Sequence, residues 1–234
     1  MGIIFLRRLR LTRKDLIFQN GLQREALEES MDTLDASEPS GSGQEALPEL
    51  DGSVRKSYSR AELLMSRGSA APEELAEAEG LLLAVIANET GHIDAHHKLG
   101  LLYLRLGNFR GAELYFSKLV NFKQDPVYFS NLGLALYQQQ RLVEAAEAYE
   151  NAIALDDRRA ERLQSLAQVY FELGQDDKAL HYFEHASRRK PKDMELKLIL
   201  ADYYERLGRK EEARLKLEEI LELDPYNEEI KARL

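Results

Sequence analysis

Residues 160–192 have the sequence AERLQSLAQVYFELGQDDKALHYFEHASRRKPK, in which a helical pattern stops once and then resumes. Apolar residues recur at spacings of three and four up to Leu173, Gly174 ends that run, and Asp176 offers a side-chain oxygen to cap a new one. Pro191 closes the second run because proline lacks the N–H donor that a further turn needs. The stretch therefore predicts two short antiparallel helices.

The same pattern recurs along the chain. A single hairpin is too small to bury its own apolar face, so it needs neighbouring copies to pack against. A shift of 34 residues towards the C terminus finds Leu200, Ala201, Tyr204, Gly208, Ala213 and Pro225. Shifts of 34 and then 33 residues towards the N terminus find Leu132, Gly133, Ala145 and Tyr149, and then Leu99, Gly100, Tyr103, Gly107, Ala112 and Phe116. Four copies in register indicate a tandem repeat.

The copies resemble tetratricopeptide (TPR) repeats, whose signature is a large residue, Leu-Gly and Tyr, then Ala, Phe and Pro. The resemblance implies an all-α fold, an α-solenoid of tandem TPR helix hairpins with a short closing C-terminal helix and a helical or disordered N-terminal extension. The array is predicted over residues 54–234, as a degenerate repeat 54–93, repeats 94–126, 127–159, 160–193 and 194–227, and a closing helix 228–234.

The extension, residues 1–36, is basic and then acidic. Residues 1–24 have a net charge of +5, whereas residues 25–51 contain nine acids and no base. The basic and apolar residues 1–18 predict contact with an anionic membrane surface, with a helix packed on the array or a solvated tail as the alternative. Residues 37–53, rich in Ser, Gly, Pro and acids, have the composition of a flexible linker.

A second amphipathic helix is predicted between Leu22 and Leu34. Its apolar residues fall on one side and its acids on the other. The apolar residues are Leu22, Ala26, Leu27, Met31 and Leu34.

Composition and motifs argue against several classes of function. The chain has no cysteine, so disulfides and Cys-based zinc sites are excluded. The array is acidic overall, whereas nucleic-acid binding needs a basic face. His181 and His185 stand four apart, and His92, Asp94, His96 and His97 cluster, but neither set has a typical metal-ligand pattern. No catalytic motif is present, and we predict no enzyme, metal or cofactor.

The resemblance implies where a partner binds, because the first helix of each TPR pair lines a concave face. The predicted groove contains His97, Lys98, Leu101, Leu104, Arg105, Asn131, Leu134, Tyr137, Gln138, Gln164, Gln168, Phe171 and Asp202. Apolar side chains mixed with amides suit an extended or helical peptide. In the alternative interpretation, Leu101, Leu104 and Leu134 only pack between repeats.

The sequence thus predicts a non-enzymatic scaffold that binds a peptide or protein segment in its groove. The alternative is an assembly element at a membrane surface whose groove holds its own N-terminal segment. A cytoplasmic location is expected, either free or peripheral at the inner face of a membrane. The sequence leaves the partner's identity and the oligomeric state open.

Overall fold

The computed structural model describes residues 52–67 and 70–234, and all regular structure within these residues is helical. The predicted all-α fold is therefore confirmed there, whereas the predictions for residues 1–51 lie outside the described part of the chain. The helices are α1 Gly52–Met65, α2 Pro72–Asn88, α3 Ile93–Arg105, α4 Phe109–Phe122, α5 Pro126–Gln138, α6 Leu142–Leu155, α7 Ala160–Glu172, α8 Asp176–Arg189, α9 Met194–Arg206, α10 Lys210–Leu223 and α11 Glu228–Lys231.

The chain divides into two compact units, Met1–Arg141 and Leu142–Leu234. In the first unit, α1 packs on α2 and α3 packs on α4, and α4 then contacts α5. In the second unit, α7 packs on α8, α9 packs on α10, and α11 closes against α10. Each unit thus contains helix hairpins in chain order, with α5 at the end of the first unit and α6 at the start of the second.

Small residues stand where paired helices come close. A Cβ added at Gly100 on α3 would lie 2.9 Å from the ring of Phe116 on α4, so only glycine allows this approach. In the second unit, Ala167 on α7 and Ala179 on α8 are fully buried. Phe183 fills the space beyond them, with its ring 5.8 Å from that of Tyr203 on α9.

Side-chain caps explain where several helices begin. The side chains of Asn108, Asp125 and Asp193 accept backbone N–H groups at the starts of α4, α5 and α9. The Asn227 side chain accepts the N–H of Ile230 at 3.2 Å and starts α11. Each cap satisfies a donor that the first helical turn leaves without an intrahelical partner.

The closing helix α11 supplies one apolar side chain to the core of the second unit. Ile230 is buried in a cluster with Ala201, Leu217 and Ile220. The rest of α11 is polar and exposed. A short amphipathic helix of this kind shields the last hairpin from water, as the end of a repeat array requires.

Candidate peptide-binding face

The predicted binding residues lie at equivalent positions on the first helix of successive repeats. Leu101 on α3 and Leu134 on α5 are 33 residues apart, and Gln168 on α7 and Asp202 on α9 are 34 apart. Stacked repeats present equivalent positions on the same side of the stack. Because the chain divides into two units, we define one surface on each unit. The unit-one face comprises His97, Lys98, Leu101, Leu104, Arg105, Asn131, Leu134, Tyr137 and Gln138, and the unit-two face comprises Gln164, Gln168, Phe171 and Asp202.

The apolar side chains of the unit-one face point away from the hairpin core. Leu99 and Leu102 belong to the core cluster that α3 shares with α1 and α2. At 3.6 residues per turn, Leu101 and Leu104 lie on the opposite side of α3. These two leucines, with Leu134 and Tyr137 at the matching positions of α5, are nevertheless only 1–4% exposed.

Helix α5 is buried on nearly every side. Its sequence, PVYFSNLGLALYQ, contains no charged residue, and ten of its residues, including the polar Ser130 and Asn131, are buried. A helix that is apolar all round belongs in an interior. The side of α5 that carries Leu134 and Tyr137 therefore has the character of a contact surface.

His97, predicted to line the groove, is buried among aromatic side chains. Its ring packs edge-on against Phe116 of α4 at 6.0 Å and against Tyr128 of α5 at 5.1 Å, measured between ring centroids. Burial lowers the pKa of His97 to about 4, with the neighbouring Lys98 acting in the same direction and Asp125 opposing both. The imidazole is therefore neutral at physiological pH and joins α4 to α5.

The two cations of the unit-one face bind α1. The Lys98 ammonium lies 3.2 Å from a carboxylate oxygen of Glu62 on α1. The Arg105 guanidinium donates to the carbonyls of Met65 and Arg67, both at 3.1 Å, and so satisfies the C-terminal end of α1. Gln138, at the end of α5, is half-buried.

The unit-two face is polar, with one aromatic ring. Gln164 and Gln168 are buried, and the Gln168 amide donates to Glu172 at 3.2 Å. Phe171 is half-buried beneath the guanidinium of Arg206, whose carbon lies 4.5 Å from the ring centroid.

Sequence reasoning did not find Arg206, which organises this part of the unit-two face. Its guanidinium also lies 4.5 Å from the ring of Tyr203 and 2.9 Å from a carboxylate oxygen of Asp176. The Tyr203 hydroxyl donates to the same carboxylate at 3.1 Å. Arg206 stands four residues after the predicted Asp202 on α9, one helical turn away, and a cation at that spacing was the available signal.

Asp202 is engaged by the C-terminal segment of the chain. The guanidinium of Arg233 lies 2.7 Å from a carboxylate oxygen of Asp202 and 2.9 Å from one of Glu205. Two carboxylates thus hold the residues after α11 against α9. Sequence patterns alone do not reveal this pairing, because Arg233 and Asp202 are brought together only when α11 folds back.

The histidines that sequence analysis weighed as metal ligands have other contacts. His92 caps α3, with its Nδ1 accepting the N–H of Ala95 at 3.1 Å, and the ring of His96 packs on Tyr115. His185 lies 3.8 Å from a carboxylate oxygen of Asp157. Residues 52–67 and 70–234 contain no group of three potential metal ligands.

Family models settle the fold family. Models of the tetratricopeptide repeat match residues 93–126, 126–159 and 165–228, together more than half of the chain. The chain belongs to the tetratricopeptide repeat family. The TPR resemblance predicted from the repeated skeleton is confirmed, as are the paired-helix hairpins.

Solved TPR structures share the fold. The crystal structure of MamA protein has a TM-score of 0.66 at 23% identity, with 77% of this chain and 94% of that chain covered. The crystal structure of YrrB, described as a TPR protein with an unusual peptide-binding site, has a TM-score of 0.61 at 18% identity, with coverage of 76% and 89%. TTC0263, a thermophilic TPR protein of Thermus thermophilus, has a TM-score of 0.51 at 20% identity, with coverage of 77% and 96%. No curated protein sequence matches this TPR chain at a significant level.

Within the described part of this TPR chain, no helix is both long enough and apolar enough to span a membrane.

Proposed function

We propose that this TPR chain is a non-enzymatic scaffold that binds a segment of a protein partner along its unit-one face. The observation that carries the proposal is the apolar set Leu101, Leu104, Leu134 and Tyr137, which lies on the side of α3 and α5 away from the hairpin core and is kept from water. Large apolar side chains in that position contribute little to pairing within a hairpin. They suit a surface that receives another segment.

The arrangement favours a short amphipathic helix as the occupant. Leu101 and Leu104 are three residues apart on α3, and Leu134 and Tyr137 repeat that spacing on α5. In this proposal the two apolar stripes receive the apolar side of a helix. A buried aromatic side chain such as Tyr137 is the type of residue that contributes most at such an interface.

The unit-two face, taken by itself, is the more polar of the two surfaces. Phe171 under the Arg206 guanidinium offers a flat apolar surface beside a cation, and Asp202 and Glu205 lie on the same helix as Arg206. A partner residue that displaces Arg233 from Asp202 must itself be cationic, because two carboxylates would otherwise lose their counterion. Peptide binding is compatible with this fold, since YrrB, a TPR protein, has a peptide-binding site of its own.

The proposal is tested by selecting peptides from a random display library with the full-length chain and measuring their affinities by fluorescence anisotropy. Leu104→Gln keeps the size of the side chain and removes its apolar character, and we expect it to weaken the selected peptides at least tenfold, which is about 1.4 kcal/mol. The matched control is Leu114→Gln on α4, because Leu114 is 52% exposed. The control should change affinity less than twofold.

Thermal unfolding of both variants separates binding from folding, and affinities are measured where each variant is folded. If the selected peptides bind the Leu104→Gln chain as tightly as the natural chain, the unit-one face is not the binding surface. The predicted contact of residues 1–18 with anionic membranes falls outside the described residues and stays a prediction.

A further inference from the structure

The apolar side chains of the unit-one face are kept from water. Leu101, Leu104, Leu134 and Tyr137 are nearly inaccessible, as described above. In the described residues of the first unit, α3 packs mainly on α2 and α4, with smaller contacts to α1 and α5. The core cluster shared with α1 and α2 takes Leu99 and Leu102 from α3, but not Leu101 or Leu104. The side of α3 that carries Leu101 and Leu104 needs a further cover.

We propose that residues 22–34 of the same chain lie on the unit-one face as an amphipathic helix, so that a partner segment must displace them to bind. This inference rests on the proposed function of the same face. It turns the N-terminal extension into an internal competitor for the binding site.

The segment has the right size and pattern. Its apolar residues form one stripe along a helix. A helix over residues 22–34 is about 20 Å long at 1.5 Å per residue, which spans two packed helices whose axes lie about 8–10 Å apart. It can therefore cover the apolar residues of α3 and α5 together.

Charge favours this segment over residues 1–18. Residues 22–34 contain four acids and one base, Arg24, for a net charge of −3. The charged members of the unit-one face are Lys98 and Arg105, and α5 contributes no charge. An acidic helix therefore meets cations at the edge of the face, whereas the basic residues 1–18 would place like charges together.

The linker permits the contact. Residues 35–51 join the segment to α1, which is bound to α3 through Lys98 and Arg105. A flexible chain of that length spans about 22 Å on average, comparable to the distance across two helices. A short flexible connection gives an effective concentration of about 1 mM, so an intrinsic dissociation constant of about 0.1 mM keeps the face about 90% occupied.

The test uses the absence of cysteine from the natural chain. A thiol introduced by Leu104→Cys in the full-length protein reports on access to the face, and a thiol introduced by Leu114→Cys reports on the exposed back of α4. We expect Leu27→Asp with Met31→Asp to raise the rate of thiol modification at position 104 at least tenfold and to leave the rate at position 114 unchanged. Equal rates at position 104 with and without these changes would mean that the leucines are covered by neighbouring repeats, and the inference would be wrong.

A direct contact is tested by oxidising the full-length chain that carries both Leu27→Cys and Leu104→Cys. An intramolecular disulfide in the monomer supports the proposed contact, and Leu27→Cys with Leu114→Cys serves as the control pair that should stay reduced. A disulfide-linked dimer would show that a second copy supplies the segment and would overturn the contact within one chain.

Peptide affinity separates this inference from the proposed function. With the segment in place, a library peptide binds about tenfold more weakly than to the Leu27→Asp, Met31→Asp chain, because it must compete with an occupied face. Faster labelling at position 104 without any peptide binding would support the cover and reject the proposed function. Peptide binding through Leu104 with no effect of the Asp substitutions would support the proposed function and reject the cover.

Discussion

At the scale of single residues, Gln140 departs from the pattern of the other repeats. Gly107, Gly174 and Gly208 end the first helices of their repeats with φ between 72° and 75°, and Gln140 takes the equivalent place with φ 61°. The left-handed conformation costs a residue with a Cβ about 1–2 kcal/mol, whereas glycine adopts it freely. The turn after α5 is therefore strained where the other turns are not.

This strain predicts opposite effects for two reciprocal substitutions. Gln140→Gly should raise the free energy of unfolding by about 0.5–1 kcal/mol, because the relief of strain exceeds the entropy that glycine adds to the unfolded chain. Gly174→Gln should lower it by a similar amount or more. Urea denaturation of both variants measures the two changes, and effects of the same sign would contradict the assignment of strain to Gln140.

His97 predicts a dependence of stability on pH. Its pKa is lowered to about 4 in the folded chain by burial, from an ordinary value of 6.5. Above pH 6.5 the imidazole is neutral in both states; as the pH falls towards 4, only the unfolded chain takes up the proton, and stability is lost. The difference corresponds to about 3 kcal/mol.

The variant His97→Gln lacks this titrating group. The natural chain and the variant have the same carboxylates, so any difference between their pH profiles comes from His97. Between pH 7 and pH 4 the natural chain should lose about 3 kcal/mol more of its unfolding free energy than the variant does. Chemical denaturation at several pH values measures the difference. Parallel profiles for the two proteins would mean that His97 is not held neutral by its packing between Phe116 and Tyr128.

At the scale of elements, the α7–α8 hairpin depends on one small and one large side chain. Ala179→Leu should overpack the contact at a cost of about 1–3 kcal/mol, and Phe183→Ala should leave a cavity costing about 3–5 kcal/mol. Val143→Ala is the control, because Val143 is 70% exposed, and its effect should stay within about 0.5 kcal/mol. Thermal melts that are unchanged for all three variants would contradict the packing of the hairpin.

At the scale of the whole molecule, the repeats and the distribution of charge distinguish the array from the N-terminal extension. Within each unit, hairpins pack on their neighbours in chain order, and the predicted binding residues recur at equivalent positions of the first helices. The net charge of −9 is distributed unevenly, with a basic N terminus, an acidic stretch after it and an acidic array. In our proposal this unevenness brings an acidic helix to a face edged by cations.

Much of the fold was predictable from the sequence because each hairpin is specified by residues that lie close together in the chain. The spacing of Leu166, Ala167, Tyr170, Ala179 and Phe183, copied at intervals of 33 or 34 residues, specifies a hairpin and its neighbours. Turn and cap residues such as Gly174 and Asn227 act within a few residues of themselves. Helix type, hairpin pairing and family were therefore accessible without a structure.

The contacts of the candidate face were decided only by tertiary structure. Periodicity places Leu101 and His97 on the same side of α3, but not the rings of Phe116 and Tyr128 that enclose His97. It also does not pair Arg233 with Asp202, or place Arg206 over Phe171. Sequence determines which side of a helix a residue occupies because that depends on local geometry, whereas exposure and ion pairing depend on which distant residues the folded chain brings alongside.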